Sequence, residues 1–194
     1  RKQEIRALQA QINPHFLYNC LNSISMFAML RDYDKIREMM ASLLFLLRYS
    51  MENVEQSVTL GKELAYLDHY MRMMQLRYSR PFLLETAVEE PLSRMTIPKL
   101  LLQPLIENAL FHGVLASESD REGIIRIEAR REEDRRTVLL TVSDNGRGMD
   151  PDRAERIRSL LASRGSRENI GLRNVWERVQ LVYGASASIE FDSE

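Results

Sequence analysis

The sequence has one cysteine, Cys20, in 194 residues. No internal disulfide is possible, which excludes the small secreted domains stapled by such bridges. Long apolar runs are also missing. The strongest, Leu43 to Leu47, falls far short of the roughly 20 residues that a membrane helix needs, and the charged start Arg1-Lys2-Gln3-Glu4 lacks the apolar stretch of a secretory signal. Charge of one sign is lacking too: 27 Lys+Arg stand against 28 Asp+Glu, a net charge of −1. That balance argues against a dedicated nucleic-acid binder. What remains is a chain with 44% hydrophobic and 28% charged residues, enough apolar material for a packed core. Its length suits one large domain or two small ones, at roughly 100–200 residues each.

Glycine and proline are scarce up to Arg80, with only Gly61 and Pro14, and frequent after it. A domain boundary is therefore expected there, between residues 1–80 and residues 81–194. The first part predicts three helices. Ile5, Leu8, Ile12, Phe16, Leu17, Leu21, Ile24 and Phe27 form one apolar stripe, interrupted by Pro14. A break is expected at Asp32-Tyr33-Asp34, then a second stripe of Ile36, Met39, Met40, Leu43, Leu44 and Leu47. Thr59, followed by Lys62 and Glu63, is an imperfect capping signal for a third helix carrying Leu60, Leu64, Leu67, Tyr70, Met71 and Met74. Two apolar helices joined by a short turn cannot bury their stripes alone, so pairing with a second copy into a four-helix bundle is expected.

The second part predicts α+β. Strands are expected at Phe82 to Val88, in a hairpin of Ile124 to Ala129 with Val138 to Val142, and from Ser188 to Phe191. Helices are expected from Ile97 to His112, with Pro98 in the first turn and Gly113 as the stop, and over Asp152 to Leu161 and Gly171 to Tyr183. Strands paired antiparallel with helices to one side predict a two-layer sandwich.

Four segments carry residue types suited to chemistry. In Gln11-Ile12-Asn13-Pro14-His15-Phe16-Leu17-Tyr18-Asn19, Pro14 either kinks a helix or opens one behind an Asn13 cap. His15 is a competent nucleophile near neutral pH, and Asn19 lies one turn along the same face. In Gln103 to Gly113, Glu107 and Asn108 are polar residues within an apolar helix, and His112 follows Asn108 by one turn. The Asn108 side-chain oxygen is a hard ligand of the kind Mg²⁺ takes. Asp144-Asn145-Gly146-Arg147-Gly148-Met149 follows a strand. Its carboxylate only accepts hydrogen bonds, which suits an exocyclic amine, and the glycines permit close backbone approach. Gly171, opening a helix in Ile170-Gly171-Leu172-Arg173, exposes amide groups that attract phosphate. The polar loop before it, Ser163 to Glu168, suits a lid. Each segment also has a plain structural reading as a cap, a solvated face, a turn or a connection. His69 is expected on a solvated face, and Cys20 in the core.

In this order and spacing the segments resemble the kinase core of sensor histidine kinases of the LytS/YesM type. Gln11 to Asn19 resembles the phosphoacceptor box and Leu102 to Ala109 the N box. Asp144 to Met149 and Ile170 to Val175 resemble the two glycine boxes. The resemblance implies a helical dimerisation and phosphotransfer region joined to an ATP-binding sandwich of the gyrase, Hsp90 and histidine-kinase class. It implies ATP and Mg²⁺ as cofactors, His15 as phosphoacceptor and Asn108 as the Mg²⁺ ligand. Asp144 would take the adenine amine. Gly146, Gly148 and Gly171 would line the nucleotide pocket, together with His112, Gly113, Met149 and Leu172. Phe16 stands where other histidine kinases carry an acidic base, and Glu107 and Asn19 are the candidates for helping His15. Phe111 and Asn169 replace a Lys and a Gly common in these boxes. The partners implied are a second copy and a response-regulator receiver domain, with the parent protein in the cell membrane and this part on its cytoplasmic side. The alternative is a degenerate nucleotide-binding or dimerisation module that regulates a partner without phosphotransfer.

Overall fold

The computed structural model describes residues 14–51, 57–133, 136–162 and 170–193. It divides into two compact units. One comprises residues 1–56 and 64–81, and the other residues 57–63 and 82–194.

The first unit is helical. Helix α1 (Pro14–Met29) and helix α2 (Tyr33–Met51) pack together, and most of helix α3 (Leu60–Arg77) belongs with them. The break between α1 and α2 falls at Leu30 to Asp32, slightly before its expected place. Arg31 takes a left-handed conformation (φ +57°). Asp32 then accepts from the Lys35 amide at 3.2 Å through Oδ1, so the carboxylate caps α2. The unit's core holds Cys20, Phe27, Met39, Leu43, Leu46, Leu67, Met71, Met73 and Met74. Burial pushes the Cys20 thiol up to about 11, with Arg77 opposing weakly, so it is an inert packing group. His69 departs from expectation. Its ring stacks on Phe45 at 4.1 Å and its Nδ1 lies 3.2 Å from Ser42 Oγ, so it is half-buried rather than solvated. Residues 1–13 lie outside the described residues, and with them the first apolar stripe up to Ile12 and the choice between kink and cap at Pro14.

The second unit is α+β. A short strand β1 (Ser57–Thr59) pairs antiparallel with β3 (Thr96–Pro98). Strand β2 (Phe82–Val88) lies beside β4 (Gly123–Arg131), which also pairs with β5 (Val138–Asp144), in the order β2-β4-β5. The β4/β5 hairpin is antiparallel as expected, but β2 runs parallel to β4. A parallel partner needs a long crossover, and here the chain from Glu89 to Glu122 supplies it. Strand β4 alternates as its sequence predicts: Ile125, Ile127 and Ala129 are buried, whereas Arg126, Glu128 and Arg130 face out. Each buried isoleucine contributes about 1.5–3 kcal/mol.

The helix expected from Ile97 to His112 is corrected at both ends. Ile97 and Pro98 are strand residues paired with Val58 and Ser57. After a short helix α4 (Glu90–Ser93) upstream, the chain enters helix α5 (Gln103–Asn108) with Pro104 in its first turn, and α5 continues as a wider π turn through Ala109–Val114. Gly113 therefore lies within the last turn and does not stop the helix. Ile106, Leu110 and Val114 from this helix are fully buried, and the π turn packs on β4 and β5. Helix α6 (Pro151–Ala162) and helix α7 (Ile170–Tyr183) add Ala154, Ile157, Val175 and Val179 to the core. Among the described residues, 187–193 form no strand, against the expectation for Ser188 to Phe191.

Candidate functional site

Strand β5 ends on Asp144, and the loop that follows is tied back to β4 by Asn145. Asn145 Oδ1 accepts from the Ile124 amide at 2.7 Å, its Nδ2 donates to the Glu122 carbonyl at 3.0 Å, and its own amide donates to the Ile124 carbonyl at 3.1 Å. These bonds tie the loop to β4, and Asp144 lies against the π turn. There it meets Gly113. A Cβ on Gly113 would lie 2.3 Å from Asp144 Oδ1, and a Cβ on Gly146 would lie 2.2 Å from the Gly113 carbonyl carbon. Only hydrogen fits at either position. The Gly146 amide donates to Asp144 Oδ1 at 2.9 Å, and the Arg147 amide donates to the Gly113 carbonyl at 3.2 Å. Although Asp144 is exposed as a residue, its carboxyl has lost hydration against this glycine pair. Burial pushes its pKa above the ordinary aspartate range, opposed by the Gly146 amide.

Asn108 is half-buried on α5, and its Nδ2 lies 3.9 Å from where a Cβ of Gly171 would stand at the start of α7. The segment around Asn108 and the start of α7 are therefore neighbours. Glu107 Oε1 accepts from Gln103 Nε2 at 2.9 Å. His112 is exposed, as is Phe111. Gly148 is left-handed (φ +69°), and the Met149 amide donates to Ser193 Oγ at 2.9 Å. Leu172 is half-buried beside Gly171. The lid segment Ser163 to Glu168 and Asn169 lie outside the described residues. Within this unit the sequence-predicted residues form two groups, Gly113-Asp144-Gly146 and Asn108-Gly171.

His15 stands on the helical unit and is exposed. Asn19 Nδ2 lies 3.3 Å from its Nδ1 and 3.5 Å from its Nε2, so the amide can donate to whichever ring nitrogen lacks a proton.

Two residues act on the turn before α5, one of which, Glu63, the sequence suggests only as part of a helix cap. Glu63 is fully buried and accepts from the amides of Leu100 at 2.9 Å and Leu102 at 3.1 Å. Arg178 donates to the carbonyls of Lys99 and Leu100. A signal for Glu63 was present: it sits three residues after Leu60 and four before Leu67, so a carboxylate occupies an apolar stripe.

A family model described as "Histidine kinase-, DNA gyrase B-, and HSP90-like ATPase" matches residues 96–194, which defines the class of the sheet-and-helix unit. A model described as "Histidine kinase" matches residues 3–82. The chain belongs to the histidine kinase family. It is 38% identical over its full length to sensor histidine kinase YesM of Bacillus subtilis (strain 168), of which it covers 32%. It is 36% identical to sensor histidine kinase YpdA of Escherichia coli (strain K12), over 97% of this chain and 32% of that protein. Sensor protein LytS of Bacillus subtilis (strain 168) is 34% identical over 98% of this chain and 32% of its own length. The chain thus spans about a third of the length of these relatives. Among solved structures, the histidine kinase domain from the Erythrobacter litoralis EL346 blue-light activated histidine kinase matches with a TM-score of 0.47 at 17% identity, over 92% of this chain and 82% of that one.

Proposed function

We propose that this chain is the kinase core of a two-component sensor, which phosphorylates its own His15 from ATP and passes the phosphoryl group to an aspartate of a response-regulator receiver domain. The observation that carries the reading is the Gly113-Asp144-Gly146 cradle. It holds a dehydrated carboxylate at a strand end, where an adenine amine donor can satisfy it. Asn108, beside Gly171 at the opening of α7, supplies a hard oxygen for Mg²⁺ where helix amides can meet phosphate. Mg²⁺ takes only one or two protein oxygens and completes its shell with phosphates and water, so Asn108 fits it without an acidic cluster; bound there, it would neutralise charge on the transferring phosphate.

The chain's own residues supply the rest. The unprotonated ring nitrogen of His15 attacks the γ-phosphorus with its lone pair, the bond from that phosphorus to the ADP oxygen breaks, and the proton on the other ring nitrogen is released. Asn19 orients the ring at rest and releases the attacking lone pair as the phosphorus approaches. Glu107, held by Gln103, is the candidate acceptor for that proton. The reading includes a homodimer through the helical unit. Its support is the exposed apolar set Leu21, Met26, Met29, Met40 and Leu44 on α1 and α2. It also places the chain on the cytoplasmic side of a membrane-anchored sensor. No helix among the described residues is long and apolar enough to cross a membrane.

Incubation with γ-labelled ATP and Mg²⁺ is expected to give an acid-labile, alkali-stable label that His15→Ala abolishes. Labelling that survives His15→Ala rejects the assignment. Nucleotide binding without any label, in dimeric protein, favours a regulatory module instead.

A further inference from the structure

The helix that carries Asn108 has no side-chain cap at its start. It is launched from Leu102, whose carbonyl accepts from the Leu105 and Ile106 amides. The turn before it is awkward, since Leu100 is left-handed at φ +56°, a conformation disfavoured for a branched side chain. Something must hold that turn, and the polar groups that do so come from both sides. Glu63, on the first turn of α3, takes the amides of Leu100 and Leu102 in its two carboxylate oxygens. Arg178, on α7, donates to the carbonyls of Lys99 and Leu100. One side chain thus grips the turn's donors and the other its acceptors, and both act on the residues from which α5 starts.

We propose that Glu63 and Arg178 are positioning residues for the metal-dependent part of the nucleotide site, acting by clamping the Lys99–Leu102 turn that aims Asn108. This inference rests on the reading that Asn108 and Asp144 hold ATP. Asn108 lies six residues beyond Leu102, about 9 Å along the helix. A tilt of about 10° at Leu102 moves Asn108 by about 1.5 Å, enough to spoil a coordinating contact. Asp144 is anchored separately through Asn145, β4 and β5, and the Gly113 end of the helix is held by its own packing on β4 and β5 and by the Arg147 amide, so the adenine contact depends on the clamp less than Asn108 does. The two halves of the site should therefore respond differently. Glu63→Gln leaves one acceptor oxygen but turns an amino group toward a backbone amide, and Arg178→Lys removes the two-pronged donor.

The test is calorimetric titration of ATP, with and without Mg²⁺, into the 194-residue chain. Each variant is expected to bind ATP about tenfold more weakly in Mg²⁺, while metal-free binding stays within about twofold of wild type. Adding Leu100→Gly to Glu63→Gln is expected to recover most of the loss, because glycine adopts the left-handed turn unaided. Folded variants with wild-type affinity in Mg²⁺, or with equal losses in both conditions, overturn the proposal. If Glu63→Gln does not fold, Arg178→Lys alone is read by the same criterion. Wild type that binds no ATP brings down the proposed function together with this inference, whereas wild-type binding that the variants do not alter brings down the inference alone.

Discussion

At the scale of the residue, Asp144 decides most. Its carboxyl is held above the ordinary aspartate range chiefly by burial, with the Gly146 amide pulling the other way. A raised folded pKa means the native state takes up a proton more readily than the unfolded chain. Ionised Asp144 therefore opposes stability at neutral pH, and the penalty fades as pH falls through its folded pKa. Asp144→Asn keeps an oxygen for the Gly146 amide, so its melting temperature in the absence of ligand is expected to equal or exceed wild type by scanning fluorimetry. Under the proposed function the same change removes the charged acceptor for an adenine amine, a bond worth about 1.5–3 kcal/mol. ATP affinity should accordingly fall by about tenfold or more. In wild type, affinity should decline as pH drops through the raised Asp144 pKa, and Asp144→Asn should remove that limb of the titration. The glycine pair makes a further, ordered prediction. Alanine at 113 strikes a carboxylate that can rotate, whereas alanine at 146 strikes the Gly113 backbone. Both overpack the contact, at about 1–3 kcal/mol, and chemical denaturation should show Gly146→Ala to be the costlier.

At the scale of the element, the patterns that repeat were readable and those that do not were hidden. Strand β4 carries its buried face in plain alternation, and α7 begins within one residue of its expected start. The cap of α3 was also readable: Thr59 Oγ1 accepts from the Lys62 amide at 3.3 Å. Thr59→Ala is expected to cost about 1 kcal/mol of stability, measurable in urea. Strands β1 and β3 have three residues each, too few for any period, and exist only because each finds the other. That is why local sequence predicts a helix at Ile97 and Pro98. Pro98 and Pro104 both satisfy the first-turn rule for proline, and the β1 partner, invisible from local sequence, settles it in favour of Pro104. The expected stop at Gly113 fails for a similar reason. A glycine near a helix end usually relieves a left-handed stop, but here the missing side chain makes room for Asp144, a residue 31 positions away. Residue type alone singled out Asp144, Gly146 and Gly171. The contact between Gly113 and Gly146 could not be read that way, because it depends on the π turn meeting the end of β5.

At the scale of the whole molecule, glycine and proline usage suggests a division of the chain near Arg80 but gives no sign of the thread between the parts. Residues 57–63 precede most of α3 in sequence, yet they belong to the sheet-containing unit. They carry β1, which is the partner of β3, and Glu63, which holds the turn into the Asn108 helix. A fragment beginning at residue 82 therefore loses the only strand paired with β3 among the described residues, and with it a buried carboxylate whose two backbone partners are then left without it. Each such lost partner costs about 1–3 kcal/mol when the orphaned group stays buried. A fragment of residues 57–194 keeps both. The longer fragment is expected to melt in one cooperative transition and to bind ATP in Mg²⁺. The shorter should melt lower by several degrees, at roughly 4–8 °C per kcal/mol for a domain of this size, and should bind ATP in Mg²⁺ more weakly. Equal melting temperatures and equal affinities would mean that residues 57–63 lie against the nucleotide-binding unit without supporting it.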